Sequence, residues 1–152
     1  MGLKYDVASV LERETEVTIS NWYEFVASEP SLACIPLSKK DRCSHLPEMF
    51  GDLVNRLRNP LPLGTHALAS SAARAHGVLR YKQGYTPTMI VEESRMLQVS
   101  IFQTLQIHVE DTLPGVLLLY VMTIADEVDS QLAQAMSSFI AETEHHAAPV
   151  EA

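Results

Sequence analysis

Residues Ser71–Leu105, SAARAHGVLRYKQGYTPTMIVEESRMLQVSIFQTL, decide the expected fold because they predict two helices joined by a tight turn. The first helix has a narrow apolar face and ends at Gln83-Gly84-Tyr85, where Gly84 suits the left-handed conformation of a helix C-cap. Thr86-Pro87 then supplies an N-cap oxygen followed by proline at the first helical position. So short a connection predicts an antiparallel helical hairpin.

Side chains equally distant from Gly84 should meet across this hairpin. Arg80 is therefore expected beside Glu92 or Glu93. Glu93 lies between apolar positions of its helix, so its carboxylate is expected to face the core, where an unpaired charge is very costly. Arg80 is its best partner because the guanidinium offers a fixed fork of donors. The expected neighbours of His76 lie farther along the second helix: Arg95, Met96 or Leu97.

The polar side chains around the turn form a candidate regulatory site, here called the hairpin cluster: His76, Arg80, Tyr85, Glu92 and Glu93. One interpretation is an ion pair that locks the hairpin, since buried pairs often fix geometry. Another is a polar pocket that senses a small anion or a partner. An acid–base catalyst is disfavoured, because no nucleophile stands at a spacing that would complete a triad.

Helical spacing extends along the whole chain, and no stretch shows the alternation of a half-buried strand. The first helix is expected to bend within the weak stretch 15–20. We expect one all-α bundle over residues 1–152, with a frayed tail at 145–152. The five predicted helical segments run from Asp6 to Ser28, from Ser38 with a restart at Pro47 to the loop at Asn59, from Thr65 to Lys82, from Pro87 to about His108, and from Gly115 to Glu144.

The last predicted helix carries a heptad-like apolar seam. Its members are Leu118, Val121, Ala125, Val128, Leu132, Ala135 and Phe139. The helix would be roughly 45 Å long, and residues 116–122 are apolar on nearly every side, so they need cover. We expect a homodimer in which this long C-terminal helix packs on its copy through a two-fold axis. A seam of this kind also suits a helix buried inside its own bundle.

Composition excludes several classes of protein. Nineteen acidic residues against eleven basic ones give a net charge of −8, which disfavours binding to nucleic acid or anionic membranes. The longest apolar run, residues 116–122, is far shorter than the roughly 20 residues of a membrane span, and the N-terminus lacks the apolar core of a signal peptide. Cys34 and Cys43 do not make a disulfide framework, so the cytoplasm is the expected location. With His45 they also lack the spacing of a zinc site, and we expect free thiols packed under the first loop.

The histidines on the predicted helices suggest haem binding as an alternative. His108 lies on the apolar stripe of the fourth predicted helix, and His66 and His76 are also placed on helices. A helical bundle can use one such imidazole as a proximal ligand. A lone helical histidine carries no ligation signature, however, and there is no C-x-x-C-H attachment site. No cofactor and no metal are therefore expected.

A family resemblance rests on the spacing of the residues around the turn: His76-Gly77, Arg80, Gly84-Tyr85, Glu92-Glu93, Arg95, Leu97 and Ile101. This spacing resembles the RsbRD N-terminal domain family, the input domain of RsbT co-antagonist (stressosome) proteins and of some bacterial sensor histidine kinases. The resemblance implies a dimeric, globin-like sensory domain without haem and without catalysis. No STAS or kinase output domain follows the last helix, so an excised or free-standing input domain is expected, with a downstream kinase or STAS-type partner.

Three functions follow from these observations. The first is a non-enzymatic bacterial signalling module that dimerises and transmits a ligand- or partner-induced change through its C-terminal helix. The second is a haem-binding, globin-like gas or redox sensor that uses His108 or His76. The third is a plain protein-interaction scaffold.

Overall fold

Most of the described chain is helical. The computed structural model describes residues 6–65, 69–108 and 114–147. These residues contain no strand, which confirms the predicted all-α class. Their helices are α1 Val7–Arg13, α2 Thr15–Ala27, α3 Pro30–Ala33, α4 Lys39–Arg42, α5 Leu46–Arg58, α6 Ser71–Lys82, α7 Pro87–His108 and α8 Pro114–Ala147.

The first predicted helix is divided into two, α1 and α2. Glu14 separates them, one residue before the weak stretch that was expected to bend. The hydroxyl of Thr15 donates to the carbonyl oxygens of Leu11 and Glu12 at 2.8 and 3.0 Å. A side chain that bonds to the preceding turn in this way competes with the regular helix ladder.

The third predicted helix starts later than expected. The hydroxyl of Ser70 accepts a hydrogen bond from the amide of Ala73 at 3.1 Å and caps α6. A start at Thr65 is therefore wrong, because Ser70 has the extended backbone of an N-cap residue. Residues 66–68, which include His66, lie outside the described residues.

The turn at Gly84 is confirmed, but the packing of the two helices beside it differs from the prediction. Gly84 has a φ of 87°, and the amide of Met89 donates to the hydroxyl of Thr86 at 3.3 Å. Beyond this turn, however, α6 packs mainly along α8, and α7 packs on α2 and α8. Contact between α6 and α7 is therefore left to long side chains that reach across the gap.

The core lies between α8 and the helices that surround it. α5, α6 and α7 all contact α8, while α1 packs on α5 and α2 on α7. Most of the buried apolar side chains form one cluster, in which the larger members include Leu11, Trp22, Leu53, Ile90, Ile101 and Ile124.

α8 is the longest helix and extends beyond its expected end. Its 34 residues span about 51 Å at 1.5 Å per residue. It remains helical to Ala147, so the prediction of a frayed tail is wrong for residues 145–147, and residues 148–152 lie outside the described residues. Within the part of the chain that the structure describes, no helix combines the length and apolar character that crossing a lipid bilayer requires.

The predicted seam of α8 is covered within its own chain along much of its length. Val128, Ala135 and Phe139 are buried in the bundle, so their assignment to a dimer interface is wrong. The physical reason is that α6 lies along this part of α8, and the ring of Tyr81 packs edge-on against Phe139 at 5.5 Å. The remaining seam residues are exposed or half-buried: Leu118, Val121, Ala125 and Leu132.

Candidate functional site

Glu93 is the centre of the hairpin cluster. Its carboxylate Oε1 accepts a hydrogen bond from Arg80 Nε at 2.8 Å and lies 3.0 Å from His76 Nε2. The predicted pairing of Arg80 with Glu93 is therefore confirmed. The hydrogen-bond partner of His76 is also Glu93, which lies earlier on α7 than the neighbours expected for it, Arg95, Met96 or Leu97.

Arg80 connects four parts of the chain. Its side chain is fully buried, and each of its three nitrogens donates a hydrogen bond. Besides Glu93, the acceptors are the Gln83 side chain and the carbonyl oxygen of Arg42, both at 2.6 Å. The guanidinium carbon also lies 4.6 Å from the centre of the Tyr85 ring, within range for a cation–π contact. Arg80 thereby holds α6, α7, the end of α4 and the turn together.

Arg42 is a member of this site that the sequence analysis missed. It is buried, donates to the Tyr85 hydroxyl, and donates to the carbonyl oxygen of Ile35 at 2.6 Å. It lies in the run Lys39-Lys40-Asp41-Arg42, which has the composition of a solvated surface. A weak signal was present, because Ser38 caps α4 and leaves Arg42 at its last position.

Glu92 does not belong to the hairpin cluster, and its prediction as a member is wrong. Its carboxylate pairs with Arg95 Nη2 at 2.8 Å, one turn along the outer face of α7. The side chain of Arg95 is 63% exposed, so this pair adds little to stability. The two adjacent glutamates point about 100° apart around the helix axis, and in α7 Glu93 is the one that is buried.

The charge states in the cluster follow from burial and pairing. Burial alone would raise the pKa of Glu93, but its hydrogen bond with His76 and the positive charge of Arg80 outweigh burial and hold that pKa below its usual value. Burial lowers the pKa of His76 and raises that of Tyr85. At neutral pH Glu93 is therefore ionised, His76 is neutral with its proton on Nε2, and Tyr85 keeps its phenolic proton.

A small cavity lies beside Glu93 and His76. Its volume is about 20 Å³, enough for roughly one water molecule. Glu93 Oε2 and His76 Nδ1 are buried without a protein hydrogen-bond partner. The small size and the adjacent carboxylate disfavour the interpretation of this cluster as a pocket for a small anion. Other lining residues are mostly apolar: Trp22, Leu46, Met49, Ile90, Leu97 and Leu132.

The two histidines considered for haem do not fit that group. His76 Nε2 already bonds to Glu93, and the cavity at its side is far smaller than the 300 Å³ or more of a typical cofactor pocket. His108 lies at the end of α7, with its side chain 33% exposed and Nε2 3.8 Å from a Glu14 carboxylate oxygen.

The cysteines are free, and Cys34 is exposed rather than packed under the first loop as expected. α3 turns the chain at this point and leaves Cys34 as its exposed C-cap residue. Cys43 is half-buried, and burial raises the pKa of its thiol. Among residues 6–65, 69–108 and 114–147, no three His, Cys, Asp or Glu side chains are close enough to hold a metal ion.

A second group of charges, here called the Arg56 cluster, was also missed: Asp52, Arg56, Asp126 and Glu127. Arg56 and Glu127 are buried, and the two aspartates are half-buried. Arg56 Nη2 donates to Asp126 at 2.7 Å, and Arg56 Nη1 lies 3.6 Å from Glu127. This cluster joins α5 to α8. The sequence gives one indication of this cluster: the polar residues Glu127 and Gln131 lie four positions apart on a mostly apolar helix.

The hairpin cluster is suited to fixing geometry. Its ionised carboxylate, neutral imidazole and two buried guanidinium groups hold α4, α6 and α7 in one arrangement. A change in how these helices pack would have to break several hydrogen bonds together. Comparison with protein-family models, with curated proteins and with solved structures gives no significant match to this chain.

Proposed function

We propose that this chain is a non-enzymatic input domain of bacterial signalling that works as a homodimer and transmits changes in packing through α8. The RsbRD-like spacing around the turn is one support. The observation that carries the proposal is the uncovered apolar surface at the start of α8. A downstream kinase or STAS-type protein in the cytoplasm is the proposed recipient of the signal.

The uncovered surface consists of neighbouring side chains on the first turns of α8. Leu118 is 59%, Leu119 57% and Met122 45% exposed. Large apolar residues at spacings of three and four form one stripe on a helix, and contiguous apolar patches on soluble proteins often mark interaction sites. A second copy supplies an equally apolar surface, and a two-fold axis lets both stripes cover each other.

α8 also provides a physical connection between this stripe and the charged clusters. Downstream of Met122 the same helix is fixed to α5 by the Arg56 cluster, and the side chain of Gln131 donates to the Met49 carbonyl oxygen at 2.9 Å. Farther along, α6 crosses it closely at Gly77. A ligand or partner that binds one packing arrangement more tightly would therefore shift the position of α8 and with it the dimer.

Replacing Leu118 by glutamate tests the dimer. We expect the parent chain to be a dimer at micromolar concentration and Leu118→Glu to dissociate at least about tenfold more readily, because each copy would place a charge in the apolar contact. Light scattering coupled to gel filtration measures this. The matched control is Ile140→Glu, which changes an exposed apolar residue near the other end of α8. A monomeric parent, or equal dissociation of both variants, would contradict the proposal.

A plain protein-interaction scaffold is the second candidate, and one observation favours it. The cavity of about 20 Å³ at the hairpin cluster has no room for an organic ligand. A scaffold would bind its partner without any change in amide exchange at the hairpin cluster or along α8. An input domain would show slower or faster exchange in α8 at residues that the partner does not touch.

A further inference from the structure

The Arg56 cluster contains more acidic groups than its single cation can neutralise. Arg56 and Glu127 are 3% and 6% exposed. Asp52 and Arg56 come from α5, and Asp126 and Glu127 come from α8. Two carboxyl groups, those of Asp126 and Glu127, therefore lie beside one guanidinium, and the charge of Asp52 also acts on Glu127.

The hydrogen bonds of the cluster leave one carboxylate oxygen of Glu127, Oε2, without a hydrogen-bond partner. Asp126 accepts from Arg56 at 2.7 Å and from the Gly64 amide at 3.2 Å. Asp52 accepts from the Ser70 hydroxyl at 2.6 Å. Glu127 Oε2 is buried and makes no hydrogen bond to protein atoms, and its nearest cation, Arg56 Nη1, is 3.6 Å away and also unpartnered.

We propose that Glu127 is a proton-binding site that controls the contact between α5 and α8. When Glu127 holds a proton, the cluster contains one cation and two anions, and the helices stay together. When the proton leaves, a third negative charge is buried beside Asp52 and Asp126, and the contact loosens. This inference concerns the packing of a single chain and does not depend on the proposed dimer.

The chemistry around Glu127 places its titration near neutral pH. Burial raises its pKa from 4.5 to about 7, and the charges of Asp52 and Asp126 act in the same direction against the lowering effect of Arg56. Among residues 6–65, 69–108 and 114–147, these are the charged groups that act on it from α5 and from α8 itself, and the N-cap of α6 contributes the neutral Ser70 hydroxyl bonded to Asp52. Because the pKa is raised on folding, the stabilisation is complete below pH 4.5 and is lost as pH rises through 7.

A hydrogen bond one turn away connects Glu127 to the backbone of α5. Gln131 is on the same face of α8, and its amide donates to the Met49 carbonyl oxygen at 2.9 Å. Separation of the helices at Glu127 would strain this bond first. Amide exchange in α5 and in the middle of α8 therefore reports the loosened state.

The test compares the parent chain with Glu127→Gln at pH 6 and pH 8. After correction for intrinsic exchange rates, amides in α5 and in the middle of α8 of the parent should exchange about tenfold faster at pH 8 than at pH 6. This factor is expected for a carboxyl group whose pKa is about 7 when it is buried and 4.5 when it is released. Glu127→Gln should stay protected at both pH values, because glutamine imitates the protonated acid. Asp129→Asn is the control, since Asp129 is an exposed acid of the same helix, and it should respond as the parent does.

A direct titration separates this site from the histidines. In the carboxyl carbon NMR spectrum, the glutamate signal that disappears in Glu127→Gln should titrate near pH 7, and Asp52→Asn should move that midpoint to lower pH. An equal loss of protection in Glu127→Gln, or a midpoint below about 5 for this signal, would overturn the proposal.

Discussion

Arg80→Ala is expected to lower the free energy of unfolding by about 3–5 kcal/mol, because it leaves the buried carboxylate of Glu93 without its cation. The change also removes the donors that reach Gln83 and the backbone of Arg42. A loss of this size is a large part of the roughly 5–15 kcal/mol that stabilises a typical domain. Urea denaturation measures it, with fluorescence of the single tryptophan, Trp22, whose indole nitrogen donates to the Glu93 carbonyl oxygen at 2.9 Å.

Two variants show whether the buried pairing causes this loss. Arg95→Ala removes an arginine that also pairs with a glutamate, but on the surface, and we expect a change of less than about 1 kcal/mol. Adding Glu93→Gln to Arg80→Ala should recover part of the stability, because it removes the unpaired charge. If Arg80→Ala unfolds at the same urea concentration as the parent, Arg80 does not neutralise a buried Glu93.

The hairpin cluster was largely predictable because its signals are local. Gly84 and Thr86-Pro87 mark the turn in the sequence itself, and an acid among apolar neighbours indicates a buried charge that needs a cation. Counting outward from the turn then identifies Arg80. The same counting placed the partner of His76 too far along α7, because α6 and α7 do not lie side by side but diverge after the turn.

The Arg56 cluster was not predictable in this way, because its members come from distant parts of the chain. Arg56 and Asp126 are separated by 70 residues. Their pairing depends on where α8 crosses α5, and the local pattern of either helix does not fix that crossing. Arg42 was missed for a related reason, since its side chain becomes buried only when the α6–α7 turn brings Tyr85 over it.

The seam of α8 shows the limit of apolar periodicity. Spacings of three and four residues place Val128, Ala135 and Phe139 on one face, whether that face meets a second chain or another helix of the same chain. The structure covers these residues with the chain's own helices and leaves the apolar start of α8 uncovered. The periodic pattern thus predicted which side chains need cover but not what covers them.

Gly77→Ala is expected to lower the free energy of unfolding by about 3 kcal/mol, because a methyl group at this position has no space. A Cβ added to Gly77 would lie 2.0 Å from the carbonyl oxygen of Ala135 in α8. That oxygen belongs to a helix backbone, so relief requires α6 and α8 to move apart. Such a shift would disturb the packing of α6 along α8, the most extensive helix–helix contact among the described residues.

Gly51→Ala is the matched control, because it makes the same chemical change inside α5 where a Cβ would meet no atom within 4 Å. There the intrinsic preference of helices for alanine should raise stability by about 0.5–1 kcal/mol. The two substitutions therefore have opposite expected signs, and urea denaturation followed by circular dichroism compares them directly. A stabilising Gly77→Ala would contradict the close crossing of α6 and α8. A destabilising Gly77→Ala together with a stabilising Gly51→Ala would show that the backbones of α6 and α8 are in direct contact. A helix needs such close contact if it is to carry a change in packing from one end of the bundle to the other.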